Sequence, residues 1–166
     1  MSPLRRSGPR VRRLRGGVYE VRIPTEERDV LRRLCAELRS LLGSEDPALV
    51  RLYPPAYQDD EAASREYARL MRDDLTASHL EALRVMEESA DSTRLDEDQM
   101  AAWLAAVNDI RLVIGTRLDV TEDLYERGLP PGDARAPQFA VYHYLGFLQE
   151  QIVEAVARGL NDSRSR

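Results

Sequence analysis

The chain has 166 residues, one domain's worth, and its 43% hydrophobic content is enough to build a core at that size. Net charge is −5, with 24 basic residues that are all arginine, two histidines and one cysteine. That inventory excludes an internal disulfide and a multi-thiolate zinc site. No apolar run approaches the ~18 residues of a membrane span, and no hydrophobic segment follows the basic N-terminus, so neither a membrane helix nor a secretory leader is expected.

Residues 1–17 lack hydrophobic periodicity, carry Pro3, Gly8, Pro9, Gly16 and Gly17, and hold six arginines with no acid. They are expected to be a disordered tail. Removing those six charges from the net −5 leaves −11 on the rest. The cationic arm makes Arg5, Arg6, Arg10, Arg12, Arg13 and Arg15 candidates for phosphate contact. The bland reading is a solvated extension.

Residues 18–160 are expected to form a single domain, with 161–166 a disordered tail. Val18–Ile23 alternates with Tyr19, Val21 and Ile23 on one face, which predicts a strand ended by Pro24. Thr25 is placed to cap a helix whose first turn holds Glu26 and Glu27. Its apolar stripe runs Val30, Leu31, Leu34, Cys35, Leu38, Leu41 and Leu42, with Gly43 as the terminating residue. Leu49–Tyr53 reads as a short second strand. Asp59 or Asp60 opens a helical stretch to about Glu88, with a kink or break expected near Thr76–Ser78.

Residues 89–95 read as a connection. Asp96 and Gln99 have capping-box spacing before a helix that runs through Trp103, Val107, Ile110, Val113 and Leu118. Thr121 caps a short turn ended by Gly128–Gly132. Pro137 suits the start of a last helix through Phe139, Leu145, Leu148, Ile152 and Val156. The expected fold is mainly α, a bundle of four to five helices with a small N-terminal strand or strand pair.

Catalytic signatures are absent: there is no HExxH, P-loop, GxGxxG or GxSxG. Cys35 has two readings, a buried small hydrophobe or a redox sensor, and the second requires an exposed thiolate of lowered pKa. His79 and His143 lack acids at ligand spacing and read as structural. The acids around Asp59, Asp60 and Glu61 read as helix caps, or else as a divalent-cation or acid–base cluster. Asn108, Asp109 and Gly115 are poor helix formers inside a strong helix. Such conflict marks a polar contact or a close helix crossing, with Arg65, Arg69 or Arg72 as expected partners, or else a ligand or partner surface that also takes in Arg111 and Arg117. A helix-turn-helix forced onto residues 60–88 would open its second helix at Thr76–Leu80 and carry Glu81, Glu87 and Glu88 towards phosphates, which disfavours it.

Several blocks are quotable as a resemblance: the segment from Val18 to Leu42; Leu52-Tyr53-Pro54-Pro55-Ala56-Tyr57 with Asp59-Asp60-Glu61; Glu66–Leu70 and Asp74-Leu75; Trp103-Leu104 through Asn108-Asp109-Ile110-Arg111-Leu112 to Gly115–Leu118; and Tyr144–Gln149. In these the chain resembles a family of small actinobacterial proteins long described as of unknown function, one branch of which is AosR, the actinobacterial oxidative stress regulators. The resemblance implies a cytoplasmic, redox-responsive transcription regulator acting with an alternative sigma factor and RNA polymerase to raise cysteine biosynthesis under oxidation. An internal disulfide switch needs two cysteines. With Cys35 alone, sensing would run through an intermolecular or mixed disulfide or a sulfenic acid.

The expected partners are therefore a sigma factor or RNA polymerase, DNA through the N-terminal arm, and a second copy of the chain. No enzymatic activity, cofactor, metal or membrane is expected. The alternative is an adaptor with no DNA role, such as a proteostasis partner, which the acidic body suits.

Overall fold

A computed structural model describes residues 8–54 and 62–165, the side chains of 62–64 apart. The elements run β1 (Val11–Arg13), β2 (Tyr19–Val21), α1 (Thr25–Leu41), a 3-10 turn (Pro47–Leu52), α2 (Ala62–Glu88), β3 (Arg94–Leu95), α3 (Glu97–Arg117), α4 (Glu122–Arg127) and α5 (Ala136–Arg164). The fold is mainly α, as expected, with a three-stranded antiparallel sheet in the order β1-β2-β3.

The sheet departs most from expectation. Residues 11–13, expected to be disordered, form β1 and pair in the register Val11↔Val21 and Arg13↔Tyr19. The cause is a single buried contact face: Val11, Tyr19, Val21 and Leu95 all point inward and are nearly fully buried. Gly16 and Gly17, both with φ above +70°, reverse the chain between the strands. β3 comes from the stretch expected to be a connection, and it pairs Tyr19 with Leu95.

Leu49–Tyr53 is not a strand. Leu49–Leu52 lies in the 3-10 turn, which Tyr53 follows with extended backbone and which Asp46 caps by accepting from the Ala48 N–H at 2.8 Å. A short apolar run ahead of prolines does not distinguish the two by pattern alone.

α3 is the central helix and packs against α1, α2, α5 and the 3-10 turn. It starts with the expected capping box: Gln99 N–H donates to Asp96 Oδ1 at 2.8 Å, and Asp96 N–H donates to Gln99 Oε1 at 3.0 Å. Trp103 and Met100 are fully buried. Gly115 allows the crossing with α5, since a Cβ there would stand 3.0 Å from the Tyr142 ring.

α1 buries Leu31, Cys35 and Leu38 on one stripe. Thr25 makes no capping bond; Pro24 occupies the cap position and Thr25 is the first helical residue. Gly43, at φ +88°, ends the helix as expected. α2 runs unbroken through Thr76–Ser78; the Thr76 hydroxyl donates back to the Arg72 carbonyl at 2.9 Å, a bond made within the helix. The described residues 62–88 form one continuous helix, so no helix-turn-helix lies among them. Thr121 caps α4 by accepting from Leu124 N–H. α5 carries on to Arg164, so residues 161–164, expected to be disordered, are helical. No proline or left-handed glycine stops the helix earlier.

Candidate functional site

The polar residues of α3 engage two neighbours. The first is a buried charge pair: His79 on α2 places Nδ1 2.6 Å from Asp109 Oδ2. Its Nε2 lies 3.0 Å from the Leu52 carbonyl oxygen. A carbonyl only accepts, so Nε2 must carry a proton. A proton on Nδ1 as well gives an imidazolium facing a carboxylate. The hydrogen bond that His79 donates to the Asp109 carboxylate raises the His79 pKa against the opposing effect of burial. The side chains are 17% and 7% exposed, so the pair is largely screened from water. One imidazole therefore ties α2, α3 and the end of the 3-10 turn together.

The adjoining Tyr53 belongs to the same lock. Its hydroxyl is 2.6 Å from Thr76 Oγ1, its ring meets the His79 ring edge-on, and the Arg72 guanidinium lies 3.9 Å above it. The expected arginine partners of Asp109 are thus elsewhere: Arg72 is on Tyr53, and Arg69 pairs with Glu66 at 2.9 Å on an exposed face. Asp109 prefers His79 because α2 presents that residue, not Arg69, on its core side.

The second contact joins α3 to α5. Gln149 donates to Asn108 Oδ1 at 3.1 Å and accepts from Arg111 Nη1 at 3.3 Å. The Arg111 guanidinium sits 4.9 Å from the Tyr142 ring centroid. Arg117 reaches Asp46 at 3.5 Å and is not part of either cluster. Asp59 and Asp60 lie outside the described residues. Among the described residues, no group of three or more His, Cys, Asp or Glu is placed to hold a metal ion.

Cys35 follows the packed reading. It is fully buried among the stripe residues of α1, and burial pushes its thiol up to about 12. Neither the access nor the thiolate that a sensor needs is present.

One residue escaped sequence reading. Arg28 is buried and donates to four backbone carbonyls, those of Val21, Ile23, Ala90 and Ser92, at 2.6–3.0 Å. It clamps β2 to the loop before β3. Burial lowers its pKa, and only Asp91 and Tyr144 oppose that electrostatically. The signal was its place at position i−3 from Leu31 and i−7 from Cys35, on the apolar stripe itself.

The N-terminal arginines divide. Arg5 and Arg6 lie outside the described residues. Arg10 is drawn into the fold, with its N–H on Gln151 Oε1 and its guanidinium on Glu27, each at 3.0 Å. Arg12, Arg13 and Arg15 ride on the β1–β2 hairpin.

The first half of the described α2 stands away from the core. Tyr67, Leu70 and Met71 are 66%, 52% and 40% exposed at i, i+3 and i+4 spacing, an apolar patch on an otherwise charged helix. No helix among the described residues is long and apolar enough to cross a membrane.

Comparison with known proteins gives these surfaces a context. The chain is 33% identical to the putative oxidative stress regulator AosR of Mycobacterium leprae over 129 residues, 68% of this chain and 59% of that protein. It is also 33% identical to the oxidative stress regulators AosR of Mycobacterium tuberculosis and Mycobacterium bovis over 125 residues, 65% of this chain and 57% of theirs. The chain therefore matches less than two thirds of the length of these relatives. No solved structure matches it. A family model described as a domain of unknown function, DUF2017, matches residues 5–156, nearly the whole chain, and the chain belongs to that family.

Proposed function

We propose that this domain is a non-enzymatic, cytoplasmic regulator of oxidative-stress gene expression that works by protein contact, with an alternative sigma factor and RNA polymerase as its partners. The observation that carries the reading is the 33% identity to named oxidative stress regulators over about two thirds of the chain. The arrangement of the fold is consistent with it. The polar residues of α3 are spent on packing helices together, and the exposed apolar patch of Tyr67, Leu70 and Met71 has the composition of a protein contact.

Oxidant detection in this reading does not pass through a Cys35 thiolate, because that sulfur is sealed inside the core. The domain relays a signal generated at another group. Affinity purification from oxidant-treated cells tests the proposal, with RNA polymerase core and each sigma factor quantified. Enrichment that falls in a Tyr67→Ser/Leu70→Ser variant supports it, and no enrichment of polymerase or any sigma factor ends it. Retention of the oxidant response by Cys35→Ala is expected; its loss would return sensing to that thiol.

A further inference from the structure

The hairpin turn between β1 and β2 projects over the last turns of α5 and encloses a cleft of about 440 Å³. Its walls carry Arg12, Arg13 and Arg15 from the hairpin and Arg158, Asp162 and Ser163 from α5. Four guanidinium groups against one carboxylate give the cleft a formal +3, on a chain whose net charge is −5. Like charges lining one cleft repel, and an anion bound among them relieves that repulsion.

The intramolecular partners do not neutralise the group. Arg13 is held across α5 at Gly159, where a Cβ would stand 1.7 Å from Nη1. Its side chain is 17% exposed, yet its carboxylate partner is Glu97 at 3.8 Å, itself 67% exposed. Arg12 is 3.6 Å from Glu20, a carboxylate it shares with Arg22. Arg15 and Arg158 are exposed, and neither forms an ion pair among the described residues. Outside the cleft, the positive face continues along the sheet: the cross-strand row Arg12–Glu20–Arg94 sets two more guanidinium groups, those of Arg94 and Arg22, around the same single acid.

We propose that this cleft binds the phosphate backbone of duplex DNA. Guanidinium forks match phosphate oxygens in pairs, which is the chemistry the four arginines lining the cleft offer. No aromatic ring lines the cleft, so it has no platform on which single-stranded bases would stack. Leu14 is its one apolar side chain, which is too little to enter a membrane. Contacts confined to phosphate position a protein on DNA without reading sequence. The cleft would therefore add affinity, and the acidic remainder of the domain keeps that affinity weak and dependent on salt. This inference stands apart from the sigma-factor reading, since phosphate contact needs no protein partner.

The test uses the full chain and a fluorescein-labelled duplex of about 20 base pairs, followed by anisotropy between 50 and 200 mM salt. The expected result is saturable binding that weakens steeply with salt, by about 0.9 log units per log unit of salt for each phosphate neutralised. In Arg15→Ala/Arg158→Ala the slope falls by about 2, with affinity down about tenfold or more at the low-salt end. Both residues are exposed, so thermal stability should hold. Arg15→Lys/Arg158→Lys retains the slope, because the charges remain. Arg127→Ala, which removes an exposed charge on α4 outside the cleft, leaves binding unchanged.

Several results overturn the proposal. They are no duplex binding at 50 mM salt, an unchanged slope in the double alanine variant, or an equal loss in Arg127→Ala. Tighter binding of the single strand also overturns it, as does thermal stabilisation by millimolar inorganic phosphate without duplex binding, which would assign the cleft to a small anion.

Discussion

Replacing Asp109 by asparagine isolates the charge of the buried lock from its shape. In the native protein the raised His79 pKa is a stability term. The folded state holds the proton more tightly than the unfolded chain, whose histidine titrates at about 6.5. The stabilisation is fully present below that value and is lost as pH rises through the higher folded pKa.

In Asp109→Asn at pH 6, His79 either faces an amide as an imidazolium or gives up its proton, because the carboxylate that raises its pKa is gone and burial still opposes the charge; the pair's stabilisation is lost either way, in a site where the partner side chain is 7% exposed. Breaking one side of a fully buried pair costs about 3–5 kcal/mol. His79 is still 17% exposed, so water recovers part of that and about 2 kcal/mol is expected. Above the folded pKa, neutral His79 keeps its Nε2–H bond to the Leu52 carbonyl and accepts a hydrogen from the new amide, so the loss falls below about 1 kcal/mol. For a domain of this size these figures become falls in Tm of about 4–8 °C at pH 6 and about 2–4 °C or less at pH 9.

Urea titrations followed by the fluorescence of Trp103, the single tryptophan and fully buried, read the difference directly. A loss of equal size at pH 6 and pH 9 would refute the reasoning, since it would show that shape and not charge holds the lock.

The other predictions concern the clamp, the thiol and the helix crossing. Arg28→Met should leave four carbonyls, three of them buried, without this donor and cost about 3–5 kcal/mol, measured as a urea midpoint shift; a loss under about 1 kcal/mol would mean the carbonyls find other donors. With its thiol at about 12, Cys35 is thiolate in about one molecule in 10⁴ at pH 8, so iodoacetamide should modify the folded protein only at the rate of unfolding. Rapid alkylation without unfolding would contradict its burial. Gly115→Ala should gain about 1 kcal/mol of helix propensity and lose more to the Tyr142 ring 3.0 Å away, for a net destabilisation of about 1 kcal/mol by thermal melting.

The helices were legible because each writes its apolar stripe and its caps locally. The Asp96–Gln99 box, the Thr121 cap and the Gly43 terminator all act within four residues of themselves, and all three stand as the sequence indicates. Gly115 likewise announced a close crossing. β1 was hidden because its inward signal is one residue, Val11, among arginines that would suit a solvated chain equally well. β3 has two residues, too few for a period. The lock and the clamp were hidden for another reason. His79 and Asp109 are 30 residues apart, Arg28 reaches carbonyls up to 64 residues away, and long-range pairing leaves no spacing to read. A polar residue inside a strong helix points to some polar contact, but that the partner of Asp109 is His79 and not an arginine depends on how α2 is rotated against α3.

The packing of the first strand on the last helix has a consequence in time. The Arg10 N–H finds Gln151 across 141 residues, and Arg13 rests on Gly159. Helices α1 to α3 can begin to assemble while the chain is still being translated, but β1 has no α5 surface to lie on until synthesis has passed residue 159. The hairpin therefore docks among the final events of folding. A nascent or truncated chain would carry its arginines loose, and the cationic cleft would come into being only when α5 has been made.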